Sequence, residues 1–285
     1  MAENIENTSV VWKNIADMWN TYFTPPSRIS PGEVEKYKEW RKSLKEKGAK
    51  TALVLGATPE IRDALNESGY KSTIIDINKE MIRAMDSVMK TNNHEETIVC
   101  SNWLENSLES GYFDVVVGDA VLPNLPYNER QKFFSEAKRL LKPNGVFLTR
   151  AFCVPKEKKF ATLEELIEHF KTRKPTYENA LKLELELQIL SYDPKTHLGT
   201  FMDAKKLIET IRGENGFDTE SENLDKTLDI VWDFWSTKFI DKVFVYEYRA
   251  EEEKEYSAHF DIVETYESED NEYSKITPMY VLKMH

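Results

Sequence analysis

Between residues 50 and 152, short apolar runs alternate with stretches whose apolar residues return every three or four positions. The runs predict strands over 51–55, 72–76, 97–101, 113–118 and 145–151, and the intervening periodicity predicts helices over 59–68, 79–90 and 128–141. Strands and helices in this alternation imply a parallel sheet with helices on both faces, an α/β architecture. Lys142-Pro143-Asn144-Gly145 reads as a helix stop and a turn that feeds the fifth strand.

The flanks follow other patterns. Over 10–47 the chain reads as helical, with Trp12, Ile15, Ala16 and Trp19 spaced for one face and a second helix over 33–44 after Pro31. Between them Pro25, Pro26 and Pro31 make a stiff connector around Arg28, suited either to a lid over a ligand or to packing against the domain edge. From 155 to 250 helical spacing dominates, with candidates at 163–171, 177–190, 204–211 and 228–239, and the section reads as an inserted cap. Apolar runs at 258–265 and 277–284, separated by the polar stretch 267–272, predict a hairpin on the edge of the sheet, and the charged run 251–255 reads as a solvated surface turn. The expected organisation is an N-terminal helical lid segment (1–49), an α/β core (50–152), a helical insertion serving as a substrate cap (153–250) and a β-hairpin completing the core sheet (251–285).

The first strand-to-helix turn carries the chemistry. The run 53–55 ends at Gly56; Thr58 is placed to cap a helix, Pro59 suits its first position, and Glu60 sits where the helix dipole favours an anion. Asp76 ends the next strand about twenty residues on, the spacing at which doubly wound folds hold ribose hydroxyls. A dinucleotide turn carries Gly-x-Gly-x-x-Gly, whereas Thr58 and Ile61 stand at the second and third glycine positions here and Glu60 would repel a phosphate. That disfavours a nicotinamide oxidoreductase. A ligand joining adenosine to cationic or zwitterionic groups fits better, and S-adenosyl-L-methionine is the common ligand of that description.

Composition narrows the partners. The 285 residues carry 38 basic and 50 acidic side chains, a formal net charge of −12, with the basic residues interspersed among acids, which argues against nucleic acid as the main partner. No apolar run approaches the roughly 20 residues that cross a bilayer, so no membrane partner is expected. Two cysteines, Cys100 and Cys153, offer neither a disulfide framework nor a metal cluster, and the start lacks the features of a secretion signal; a cytoplasmic location is the expectation. His94, His169, His197, His259 and His285 are widely spaced and show no metal-ligand pattern, so no metal is expected.

With the turn, the acid and the terminal hairpin in place, the chain resembles the class I S-adenosylmethionine-dependent methyltransferases over roughly 50–152 and 256–285. The residues that carry the resemblance are Val54-Leu55-Gly56, Asp76, Phe113-Asp-Val-Val-Val-Gly-Asp119 and Leu140-Leu-Lys-Pro-Asn-Gly145; the variant Leu-Gly-x-Thr-Pro-Glu at 55–60 resembles a less studied branch. The resemblance implies a Rossmann-like, seven-stranded, doubly wound sheet whose last strand is antiparallel. It also implies methyl transfer to an O, N or other nucleophile of a small-molecule substrate, with an oligomer left open. Under it, Gly56 and Ala57 pass close to the methionine portion, Asp76 accepts from the ribose hydroxyls, Ile77 packs on the adenine, and Asn102 contacts the adenine edge. Trp103 lies in the same segment, as a contact or as a core residue.

Further candidates are Asp119 at the carboxyl edge of the fourth strand, for cofactor or substrate proton, and Tyr127 with Asn124 in the proline-containing segment 122–127; Asp119 and Tyr127 are the catalytic candidates. Arg28 either meets the cofactor carboxylate, which a guanidinium matches bidentately, or sits on the surface. Tyr22 and Trp19 are offered for cation–π contact with the sulfonium, and Trp232 and Trp235 for a substrate pocket or for packing. The departures from the family pattern, a single glycine at the turn and Val54 where an acid often stands, motivate an alternative function: a non-catalytic methyltransferase-like binding protein that keeps the fold.

Overall fold

A computed structural model describes residues 13–91, 96–237 and 243–285. Trp12, His94 and Phe239, and with them the beginning of the expected N-terminal helix and the end of the fourth insertion helix, lie outside the described residues. In chain order the elements are α1 (13–18), α2 (Pro31–Glu46), β1 (Thr51–Leu55), α3 (Pro59–Glu67), β2 (Lys71–Asp76), α4 (Lys79–Asp86), β3 (Thr97–Cys100), β4 (Phe113–Asp119), α5 (Tyr127–Leu140) and β5 (Leu141–Arg150). Then follow α6 (Leu163–Phe170), α7 (Tyr177–Ser191), β6 (Leu198–Thr200), α8 (Phe201–Glu209), β7 (Arg212–Gly213), β8 (Gly216–Phe217), α9 (Glu222–Thr237), β9 (Val243–Val245), α10 (Arg249–Ser257), β10 (Phe260–Tyr266) and β11 (Met279–Met284).

Seven of the strands form one sheet in the order β10-β11-β5-β4-β1-β2-β3. β1 to β5 are mutually parallel, and β11 enters antiparallel between β5 and the edge strand β10. Leu53, Val54, Val115, Val116, Val117, Phe147 and Leu148 are buried because central parallel strands are covered on both faces, which is why these stretches read as unbroken apolar runs. The order reverses between β1 and β4, so the crevice at the carboxyl ends of these strands is where an open α/β sheet receives ligands.

The chain divides into two compact units: Met1–Asp17 with Pro25–Cys153 and Arg249–His285, and Met18–Thr24 with Val154–Tyr248. The first holds the seven-stranded sheet. The second is built on α6 to α9 around a buried cluster that includes Leu166, Leu187, Leu224, Leu228, Phe234 and Trp235. No helix among the described residues is long and apolar enough to cross a membrane.

Three local expectations are corrected. The run 251–255 is no turn: it lies inside α10, and Glu252 is buried, accepting from the Tyr256 hydroxyl (2.7 Å) and the Cys153 thiol (3.4 Å). Residues four apart share a helix face, so Glu252 faces the core with Tyr256 while its charged neighbours take the solvent. Lys142 to Gly145 does not separate helix from strand. α5 ends at Leu140, β5 starts at Leu141, and the four residues bulge out of register, with Phe113 opposite Leu141 and Val115 already opposite Val146. Thr58 holds the N-cap position of α3 but its side chain makes no capping hydrogen bond; Pro59 at the first position, which needs no N–H partner, sets the helix start instead.

Candidate cofactor site

The crest of β1 and β2 is assembled from backbone. Gly56 leaves β1 at φ +89°, a left-handed conformation that a side chain would strain, and donates its N–H to the Ile75 carbonyl at 3.0 Å. Among the described residues, a Cβ built on Gly56 would meet within 4 Å only Trp103 Cζ2, at 3.8 Å, so above this glycine the backbone is bare up to one aromatic ring. Ala57 is buried behind it. α3 starts immediately afterwards, with its N-terminus turned to the same crest.

Asp76 ends β2 with 7% of its surface exposed; its Oδ1 accepts the Asn78 N–H at 2.7 Å, an Asx turn that leads into α4, where Asn78 is the cap. Ile77 follows at 70% exposure, an apolar side chain facing solvent at the end of a buried strand. The segment after β3 returns to this place. Ser101 N–H bonds the Asp76 carbonyl (3.1 Å), Cys100 Sγ approaches the Ile77 carbonyl (3.4 Å), and the Trp103 indole donates to the Ile75 carbonyl (2.9 Å). Asn102 turns its Oδ1 to the Leu104 N–H at 2.9 Å and so fixes the turn that presents Trp103. Gly56, Asp76, Ile77 and Trp103 thus share one crest.

Arg28 and Asp119 occupy adjoining positions with partners of their own. Arg28 Nε bonds Glu60 Oε1 at 2.7 Å, which brings the proline-rich connector to the first turn of α3. Asp119 is gripped by Arg150 through Nε–Oδ1 (2.7 Å) and Nη2–Oδ2 (3.3 Å). Arg150 is buried, reaches Glu33 Oε2 at 3.3 Å, and donates to the carbonyls of Pro26 (2.9 Å) and Arg28 (3.5 Å). Burial alone would lower the Arg150 pKa, but Asp119 and Glu33 outweigh it and hold the guanidinium charged. This ion cluster pins the connector across the carboxyl ends of β4 and β5. Beyond Asp119, Ala120 adopts φ +47°, and its carbonyl accepts from Asn124 Nδ2 at 2.8 Å. Tyr127 opens α5, its ring 4.4 Å from the Arg130 guanidinium and 39% exposed.

Arg150 and Glu33 were not among the sequence candidates, although Ser30-x-x-Glu33 is a capping-box pattern and both of its reciprocal bonds are formed, at 3.2 and 2.7 Å. Tyr22 moves out of the list. Its side chain is fully buried in the helical unit, stacked on Phe234 at 4.5 Å with its hydroxyl on Glu184 at 2.6 Å, so it has no ring face to offer a sulfonium. Trp19 packs on Phe23 in the same unit, Trp235 is in its core, and Trp232 lies under Lys205 (4.2 Å) and Arg212 (4.5 Å).

Residues 55–149, from the end of β1 to the penultimate residue of β5, match a family model described as a methyltransferase domain. Over these residues the chain is similar to that domain. Its fold is that of the class I methyltransferases: CcbJ methyltransferase from Streptomyces caelestis aligns with 96% of this chain and 98% of its own at 16% identity and a TM-score of 0.55. N-methyltransferase NodS from Bradyrhizobium japonicum, solved with S-adenosyl-L-homocysteine, aligns over 98% of both chains at 12% identity and TM-score 0.51. A Rhodobacter sphaeroides protein provisionally described as a Zn-dependent alcohol dehydrogenase also aligns over 98% of both chains, at 15% identity and TM-score 0.58. Among the described residues of this chain no group of three or more His, Cys, Asp and Glu is placed to hold a metal ion. No curated protein matches this chain in sequence.

Proposed function

We propose that this chain is an S-adenosyl-L-methionine-dependent methyltransferase acting on a small-molecule nucleophile. The observation that carries the reading is the crest where Gly56, bare at φ +89°, adjoins the Asp76 carboxylate and the outward-facing Ile77. These residues fit the cofactor: Asp76 would accept from ribose hydroxyls, Ile77 would cover the adenine, Gly56 and Ala57 would flank the methionine portion, and Asn102 with Trp103 would border the adenine edge. Arg28, held beside the first turn of α3 by Glu60, would answer the cofactor carboxylate. When bound, the cofactor supplies an electrophilic methyl group on a sulfonium.

The chain's own part is to orient the acceptor and keep water out, since methyl transfer to a well-placed nucleophile proceeds without a covalent enzyme intermediate. Asp119, clasped by Arg150, serves better as an anchor of the crevice wall than as a proton acceptor. Tyr127 is the titratable side chain we place at the acceptor side. The test is a co-product assay with the full chain and a panel of amines, phenols and carboxylates: release of S-adenosylhomocysteine that depends on one acceptor class supports the reading. Cofactor binding without release for any acceptor would favour the non-catalytic alternative.

A further inference from the structure

Trp103 has an unusual post for an indole. It stands on a tight turn whose bonds, Leu104 N–H to Asn102 Oδ1 (2.9 Å) and Glu105 N–H to the Asn102 carbonyl (3.3 Å), do not involve the ring. From there the half-buried ring reaches across the end of β2 to lie 3.8 Å from where a Gly56 Cβ would stand. Its N–H is anchored on the Ile75 carbonyl at 2.9 Å, an oxygen that already receives the Gly56 N–H at 3.0 Å. The indole therefore spans from the third strand to the first, directly over the bare backbone.

We propose that Trp103 is a movable cover over Gly56, held shut by the indole–Ile75 hydrogen bond and displaced when a nucleoside ligand enters the crest. The proposal rests on the cofactor reading above, because the ligand that lifts the ring is the one that reading places beside Gly56. Three features make the ring free to move. Breaking its bond leaves the Ile75 carbonyl still satisfied by Gly56; a half-buried indole N–H finds water; and the turn beneath it keeps its own hydrogen bonds. Gly56 has no side chain with which to grip the ring. The cover shields the crest from water until a ligand replaces it, so part of the ligand's binding energy goes into opening.

A fixed wall and a movable cover respond oppositely to loss of the N–H. With Trp103→Phe a smaller aromatic ring remains on the turn but the latch is gone, and S-adenosylhomocysteine should bind about two- to tenfold more tightly, the weight of one net hydrogen bond. In parallel, the full-length protein labelled with 5-fluorotryptophan is titrated with the same probe, the Trp103 signal being identified by its loss in Trp103→Phe. The cover predicts that this fluorine resonance shifts as the probe saturates. A stationary resonance under saturating probe, or a Trp103→Phe protein that binds equally or more weakly, overturns the cover while leaving the cofactor reading standing. Absence of any probe binding to the unaltered protein overturns the cofactor reading and the cover with it.

Discussion

At the scale of single residues, the proposed site rests on a backbone conformation and a carboxylate. Gly56 turns at φ +89° with the Trp103 ring over it, and Asp76 ends β2 with its carboxylate oriented by the Asn78 N–H. Replacing Asp76 by alanine should weaken S-adenosylhomocysteine binding by about 1 to 3 kcal/mol, the cost of leaving ribose hydroxyls without a charged acceptor. Equal affinity in a folded Asp76→Ala protein, read by titration, would remove Asp76 from the site. The positions of both residues were legible in the sequence because they answer to local rules: a glycine where the first strand must turn, an acid where the second one ends. Arg150 was not. Its partners Glu33, Asp119 and the Pro26 carbonyl lie 117, 31 and 124 positions away, and no local pattern announces a buried guanidinium that ties them together.

At the scale of elements, strand and helix order follows the hydrophobic pattern closely, and the misreadings fall where tertiary contacts decide. Lys142 to Gly145 has the composition of a turn, yet backbone pairing with β4 continues on either side of it, so the four residues become a bulge inside β5. Gly145 permits this: a Cβ there would meet Leu141 Cδ2 at 2.9 Å, the Lys142 carbonyl at 3.0 Å and the Phe113 carbonyl at 3.1 Å. Gly145→Ala should therefore destabilise the protein by about 1 to 3 kcal/mol, as overpacking does, visible as a lower denaturation midpoint. An unchanged midpoint would show that the bulge relaxes freely.

α7 carries a second element-scale prediction. Glu184 is buried in the helical unit, and desolvation pushes its carboxyl from the usual 4.5 up to about 7 even though the Tyr22 hydroxyl and the Trp235 indole pull it down. The unfolded chain loses this proton near 4.5 while the folded chain keeps it, so the stabilisation is complete below 4.5 and is lost as the pH rises through about 7. Relative to Glu184→Gln, the unaltered protein should lose on the order of 3 kcal/mol of stability across that window. Denaturation midpoints of the two proteins measured from pH 4.5 to 8 read this directly; a difference that does not vary with pH contradicts it.

At the scale of the whole molecule, the sheet order β10-β11-β5-β4-β1-β2-β3 puts the reversal point beside Gly56, and the terminal hairpin supplies the antiparallel strand that closes the core. The parallel sheet and the hairpin could be read in advance because their apolar runs are long and cleanly bounded. α10 could not, since the burial of Glu252 depends on Cys153, 99 positions earlier. On the proposed function, the crevice at the crest of β1 and β2 holds an adenosyl cofactor. In isothermal titration of the full-length protein, S-adenosyl-L-methionine and S-adenosylhomocysteine should each bind saturably at one site per chain, more weakly after Asp76→Ala. Absence of binding heat for either compound with the folded protein, across temperatures that would unmask a small enthalpy, would contradict it.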